Sequence, residues 1–127
     1  MRRRRPTGGL ASRGVVSVSP ERFEQMVADA LDSLPPDLGR AMDNVAVVVG
    51  DKAEGRPLFG LYEGVPLIRR GTYAGAVPDR ITIYQDTICE RCTTEAEVVA
   101  QVRKTVIHEV GHHFGLSDAR LKELGWA

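Results

Sequence analysis

Apolar residues recur at helical spacing in the first third of the chain. Ser19, Pro20 and Glu21 form a typical helix start, with serine as N-cap, proline at the first helical position and an acid in the first turn. The proline pair at 35–36 would stop such a helix. The pattern predicts one amphipathic helix, whose apolar positions are Phe23, Val27, Ala30, Leu31 and Leu34.

Three short segments have the composition of strands instead. Residues 45–49 (VAVVV) are apolar and mostly β-branched, which predicts a strand buried on both faces. Residues 58–62 are a second candidate, and residues 80–85 (RITIYQ) alternate as a half-buried third strand should. Residues 64–79, which hold three glycines and two prolines, are predicted to form a long loop, a length that often has a functional cause.

Helices are predicted again in the last third. Thr94 and Glu97 fit the two ends of a capping box, which predicts a long helix to about Phe114. A short final helix is predicted for residues 118–124. The order helix, strands, helix, helix indicates an α+β fold: a small sheet packed on an N-terminal helix and a long second helix, with a short C-terminal helix.

Length and charge add a domain boundary and exclude several classes of function. The 127 residues suit one domain, predicted at 18–127 after a disordered basic leader at 1–17. Outside the five leader arginines the chain is acidic, so nucleic-acid affinity is expected only through Arg2, Arg3, Arg4 and Arg5. No apolar run suits a membrane span or a signal peptide, so we expect a cytoplasmic protein without membrane contact.

Side chains that can bind a metal or transfer a proton are concentrated in HEVGHHFGLSD, residues 108–118. At about 100° per residue, His108 and His112 lie on one face of the predicted helix, opposite a stripe of valines. Two imidazoles four residues apart can bind the same ion, usually zinc. Glu109 lies at the edge of that face, where it can take a proton from a metal-bound water without being a ligand itself.

The residues after the histidines can complete such a site. Gly115 can adopt the left-handed conformation that ends a helix and turns the chain back on itself. Asp118 can then reach the metal as a third ligand, with Glu123 as a competing candidate. His113 lies with the valines, and we interpret it as a packed or hydrogen-bonded histidine rather than a group that assists the reaction.

Cys89 and Cys92 form CERC, the only cysteine pair in the chain. One pair lacks the second half of a four-ligand zinc site, and the sequence context of a thioredoxin-type motif is absent. We therefore interpret the two cysteines as a reduced, non-catalytic pair; a local disulfide or opportunistic metal binding is the alternative.

HEVGHHFGLSD resembles the zinc signature HExxHxxGxxH/D of zincin metallopeptidases, in the form that ends in aspartate. From about residue 18 the chain is also similar to the minimal, single-domain zincin-like metallopeptidases of bacteria. The resemblance implies one zinc ion per chain, held by His108, His112 and Asp118, with Glu109 as the general base. It also implies a small mixed sheet whose edge strand lines a substrate cleft. The methionine turn of larger relatives is absent, because every methionine precedes the motif.

Three functions remain open at this stage. The favoured one is hydrolysis of peptides or unfolded proteins, with the substrate paired to an edge strand at 81–85. Tyr73, Tyr84 and His113 are candidate donors to the oxyanion. The alternatives are a non-catalytic zinc scaffold that binds peptides and a metal-dependent RNA-processing enzyme. The RNA-processing alternative comes from a small bacterial endoribonuclease family that uses a similarly spaced histidine motif. Glu109 argues against it, because the motif of that family lacks the glutamate.

Overall fold

A computed structural model describes residues 16–40, 42, 45–64 and 79–125. Most of the predicted leader and of the predicted loop, with Tyr73, lies outside the described residues. The described elements, in chain order, are α1 (Pro20–Asp32), α2 (Pro36–Arg40), β1 (Val45–Gly50), β2 (Gly60–Glu63), β3 (Asp79–Tyr84), α3 (Gln85–Glu90), α4 (Glu95–His113) and α5 (Asp118–Glu123). The predicted α+β fold is confirmed, although the sequence did not predict the short helices α2 and α3.

The long helices begin where their capping residues predict. The Ser19 hydroxyl accepts a hydrogen bond from the Arg22 backbone N–H, and Thr94 accepts one from the Glu97 N–H, each at 3.1 Å. The Glu97 carboxylate accepts from the backbone N–H of Thr93, one residue before the expected partner. Hydrogen bonds from Thr93 lower the pKa of Glu97, so this contact persists at mildly acidic pH. Local hydrogen bonds therefore fix the start of the helix that carries the histidines.

The sheet has the order β1-β3-β2, with β3 in the centre. Strand β3 runs parallel to β1 and antiparallel to β2, and Ile81 is paired on both sides, with Val47 and Tyr62. The prediction of an edge strand at 81–85 is therefore wrong, because the main-chain groups of β3 are already used by its two neighbours. At its end, Gln85 already begins α3.

Strand β1 also differs from its prediction. Its side chains alternate between partly buried and exposed, and Val48 is 41% exposed. The prediction that it is buried on both faces is wrong, because β1 lies at the edge of the described sheet and packs against the core through Val45, Val47 and Val49. A run of valines does not distinguish a half-buried edge strand from a fully buried one.

Helix α4 packs against α1 and against strands β2 and β3 of the sheet. Its buried stripe packs with Phe23 of α1 and with Ile81 and Ile83 of β3. The opposite side of α4, which carries His108 and His112, is left partly exposed. The buried stripe of α4 consists of Val98, Val102, Val106 and Val110, each at most 1% exposed. No helix of the described part of the chain is both long and apolar enough to cross a membrane.

Candidate metal centre

The chain reverses direction directly after α4. Gly115 has a φ of 76° and its N–H donates to the His112 carbonyl at 2.9 Å, while the N–H of Leu116 donates to the Gly111 carbonyl at 2.9 Å. This pair of bonds is the Schellman arrangement, which needs a residue in the left-handed conformation and so favours glycine. The left-handed conformation of Gly115 was expected from the sequence. The turn brings Asp118, the first residue of α5, back over the histidines.

Both histidines face one carboxylate oxygen. Oδ1 of Asp118 lies 3.1 Å from Nε2 of His108 and 3.6 Å from Nε2 of His112. The two imidazole rings are 4.7 Å apart, centroid to centroid, and are inclined at 70°. The imidazoles are each 38% exposed and the carboxylate 72%, so the group is open to solvent on one side.

These positions fit a tetrahedral zinc ion. With ligand bonds of about 2.0–2.1 Å, neighbouring donors around such an ion are about 3.3 Å apart, and the two distances to Asp118 bracket that value. Two neutral imidazole nitrogens and a carboxylate are also donors that zinc accepts. The open side leaves room for a fourth ligand, which is the feature that separates catalytic zinc sites from closed structural ones.

Glu109 is buried beside this group rather than within it. Donor atoms of His108, Glu109 and His112 lie within 4.8 Å of one another, so distance alone would admit Glu109 as a ligand. Its Oε1, however, lies 3.2 Å from Nδ1 of His112, the ring nitrogen that does not face Asp118. A hydrogen on Nδ1 donated to this carboxylate leaves the Nε2 lone pair available for a metal. The geometry thus suits a group that orients His112 and handles protons.

Glycine at position 60 lets strand β2 approach Glu109 closely. A Cβ at Gly60 would lie 2.7 Å from Cγ2 of Thr105 and 3.1 Å from Cγ of Glu109, both on α4. Any larger residue would have to displace the strand or the glutamate. Next to this contact is a cleft of about 390 Å³, lined by Leu58, Gly60, Lys104, Thr105, His108 and Glu109 among others. The cleft therefore opens directly onto the histidine and glutamate side chains.

His113 belongs to a buried polar cluster with two strand residues. Its Nδ1 lies 2.9 Å from Oδ2 of Asp79, and both residues are 1% exposed. The Tyr62 hydroxyl donates to the same oxygen at 2.7 Å, and the Tyr62 and His113 rings meet edge to face at 5.8 Å. The cluster joins the end of α4 to β2 and β3, in keeping with the interpretation of His113 as a packed, hydrogen-bonded histidine.

Two other candidates from the sequence, Tyr84 and Glu123, contact residues outside the histidine motif. Tyr84 follows Ile83, which faces the core, so its ring lies on the outer face of the sheet, beside Gly50. Glu123 pairs with Arg120 at 2.9 Å and is 67% exposed, which leaves Asp118 as the carboxylate that faces the histidines. Tyr73 lies outside the described residues. Of the two oxyanion candidates that the structure describes, Tyr84 lies beside Gly50 and His113 is hydrogen-bonded to Asp79.

The CERC pair lies at the end of α3, away from the histidines. Cys89 and Cys92 are both buried thiols. Burial raises the pKa of the Cys92 thiol and so keeps it protonated and poorly nucleophilic. This environment supports a packing role for the pair.

Comparison with known proteins decides the family. The profile of the zincin-like metallopeptidases matches residues 42–126, about two thirds of the chain, including the whole histidine motif. The chain belongs to the zincin-like metallopeptidase family. Membership implies a bound metal, typically zinc, and His108, Glu109 and His112 could bind it.

Solved structures support the fold. A conserved hypothetical protein from Thermus thermophilus superposes with a TM-score of 0.52 at 22% identity, over 84% of this chain and 97% of that one. At this identity the similarity shows the fold alone. No curated protein gives a significant match to the chain.

Proposed function

We propose that the protein is a zinc-dependent peptide hydrolase. In this proposal one zinc ion is held by His108, His112 and Asp118, and Glu109 is the general base. The observation that carries it is the convergence of both Nε2 atoms on Asp118 Oδ1, at 3.1 and 3.6 Å, beside the buried Glu109 carboxylate. Family membership independently supports a metal-dependent hydrolase.

The reaction needs a water activated for attack and a proton for the leaving amine. When bound, zinc supplies a Lewis acid that polarises a carbonyl oxygen and lowers the pKa of water. Glu109 takes one proton from the attacking water as its oxygen bonds to the peptide carbon. It then passes that proton to the amide nitrogen as the C–N bond breaks, which leaves a new carboxylic acid and a new amine; the acid then loses the second proton of the water to the amine or to solvent. The hydrogen bond to Glu109 meanwhile holds the ring of His112 in place.

We propose that the substrate binds along β2. Among the described residues this strand pairs with β3 alone, and it touches α4 at Gly60, beside the cleft lined by His108 and Glu109. An extended peptide could add by main-chain hydrogen bonds to the side of β2 that faces away from β3, with a side chain in the cleft. Strand β2 thus takes the role that the sequence assigned to residues 81–85.

The function is tested by incubating the purified full-length chain with a mixture of synthetic peptides and identifying new termini by mass spectrometry. We expect cleavage of some peptides, loss of cleavage after treatment with a zinc chelator, and recovery when zinc is restored. A protein that holds zinc but cleaves none of them would favour the scaffold interpretation. Cleavage that resists complete removal of metal would contradict the proposal.

A further inference from the structure

Helix α5 is attached to the rest of the described fold through one buried side chain. It has six residues, of which only Leu121 is buried, at 0% exposure. Helices shorter than about 12 residues are marginal by themselves in water. The turn at Gly115 brings Asp118 back towards the histidines, and the position of α5 on α4 beyond that turn depends on what Leu121 contacts.

Leu121 contacts the backbone of α4 at Gly111. A Cβ at Gly111 would lie 2.7 Å from both methyl carbons of Leu121 and 3.1 Å from its Cγ. Gly111 immediately precedes His112, and Leu121 is one helical turn after Asp118. The contact therefore links the part of α4 that carries the histidines to the part of α5 that carries the carboxylate.

The carboxylate itself has little else to hold it. Asp118 has a side chain that is 72% exposed, and its ionic contacts among the described residues are with His108 and His112. Ser117 caps α5 by accepting from the Arg120 N–H, which fixes the first turn of the helix but not its place on α4. Beyond the turn at Gly115, the contact between Gly111 and Leu121 is what holds α5 against α4 among the described residues.

We infer that Gly111 and Leu121 are positioning residues, which hold Asp118 at ligand distance from the two histidines. The inference rests on the proposed role of Asp118 as a zinc ligand. It explains why Gly111, the second of the two residues between Glu109 and His112, is a glycine. A larger residue at this position would push α5 outward. Neither residue touches the metal or the substrate in this account.

The test is zinc affinity, measured by competition with a chromophoric chelator, in Leu121→Ala and in the matched control Leu124→Ala. Leu124 follows α5 and is 38% exposed. We expect Leu121→Ala to weaken zinc binding by about 10- to 100-fold, the range for residues that orient metal ligands. Leu124→Ala should stay within about 2-fold of wild type, since exposed substitutions of this kind change little. Gly111→Ala should weaken binding in the same direction as Leu121→Ala.

Two further measurements separate positioning from loss of the fold. Leu121→Met keeps the side-chain volume and should restore most of the affinity. The visible spectrum of the cobalt-substituted protein should lose its tetrahedral character in Leu121→Ala, while a melting curve in excess chelator still shows a cooperative transition. If that variant does not fold, Leu121→Val is the substitution to measure.

The results distinguish the positioning role of Gly111 and Leu121 from the proposed function. Wild-type zinc affinity in a folded Leu121 variant would overturn the positioning role while leaving the proposed function intact. Wild-type protein that binds no zinc would overturn the proposed function instead. Equal weakening in Leu121→Ala and Leu124→Ala would also overturn the positioning role, because the effect would not then depend on the contact with Gly111.

Discussion

Replacement of Glu109 by Gln is expected to lower peptide hydrolysis by about 10²- to 10⁴-fold, the usual contribution of a positioned base. Glutamine has the same shape, and its amide oxygen can still accept the hydrogen bond that His112 Nδ1 gives to Glu109. It cannot take up a proton. Zinc content and thermal stability should therefore remain close to wild type while turnover is lost.

The measurement compares initial rates of cleavage of one peptide substrate at matched zinc content. The control is Glu123→Gln, the same chemical change on the exposed surface of α5, where the side chain pairs with Arg120. This control should retain wild-type turnover. Unchanged turnover in Glu109→Gln would contradict the proposed mechanism, and loss of zinc in that variant would show that Glu109 is a ligand rather than a base.

Replacement of Asp79 by Ala is expected to lower the free energy of unfolding by several kcal/mol, because each buried group left without its partner costs about 1–3 kcal/mol and two groups lose theirs here. Both Asp79 and His113 are 1% exposed. The imidazole of His113 would therefore lose its carboxylate partner at a buried position, where water does not replace the hydrogen bond. The Tyr62 hydroxyl would lose the same acceptor. Because small domains have only about 5–15 kcal/mol of stability, the effect should be large.

Urea unfolding at neutral pH measures this difference directly. Asp79→Asn, which keeps an acceptor oxygen, should lose less stability than Asp79→Ala. The control is Glu63→Ala, which removes an exposed ion pair with Arg80 on the same two strands and should change stability by at most about 1 kcal/mol. Equal effects of Asp79→Ala and Glu63→Ala would contradict a stabilising role for the buried cluster.

The candidate centre could be predicted from the sequence because its geometry is local. His108, Glu109 and His112 lie on one turn of a single helix, and Gly115 ends that helix by hydrogen bonds within five residues. Helical periodicity and the conformational freedom of glycine predict that the chain turns back and brings Asp118 towards the histidines. The helix start at Thr94 was predictable for the same reason.

Features that depend on contacts distant in sequence were not predictable. The order of the described strands puts β2, not β3, at the edge next to the site, and no pattern within a short strand encodes its neighbours. The partner of His113 lies 34 residues away, at the end of a segment that the sequence could only describe as a loop. The close approach at Gly60 likewise depends on how α4 packs on the sheet.

The most direct test of the proposed metal centre is the zinc content per chain. It is determined by elemental analysis of protein purified without added metal. Wild-type protein and Glu123→Ala should each hold about one zinc ion per chain, as expected for a single site with three protein ligands. Asp118→Ala should lose its zinc on dialysis against a mild chelator. Absence of zinc from the wild type, even after reconstitution, would contradict the metal centre and the hydrolytic function proposed for it.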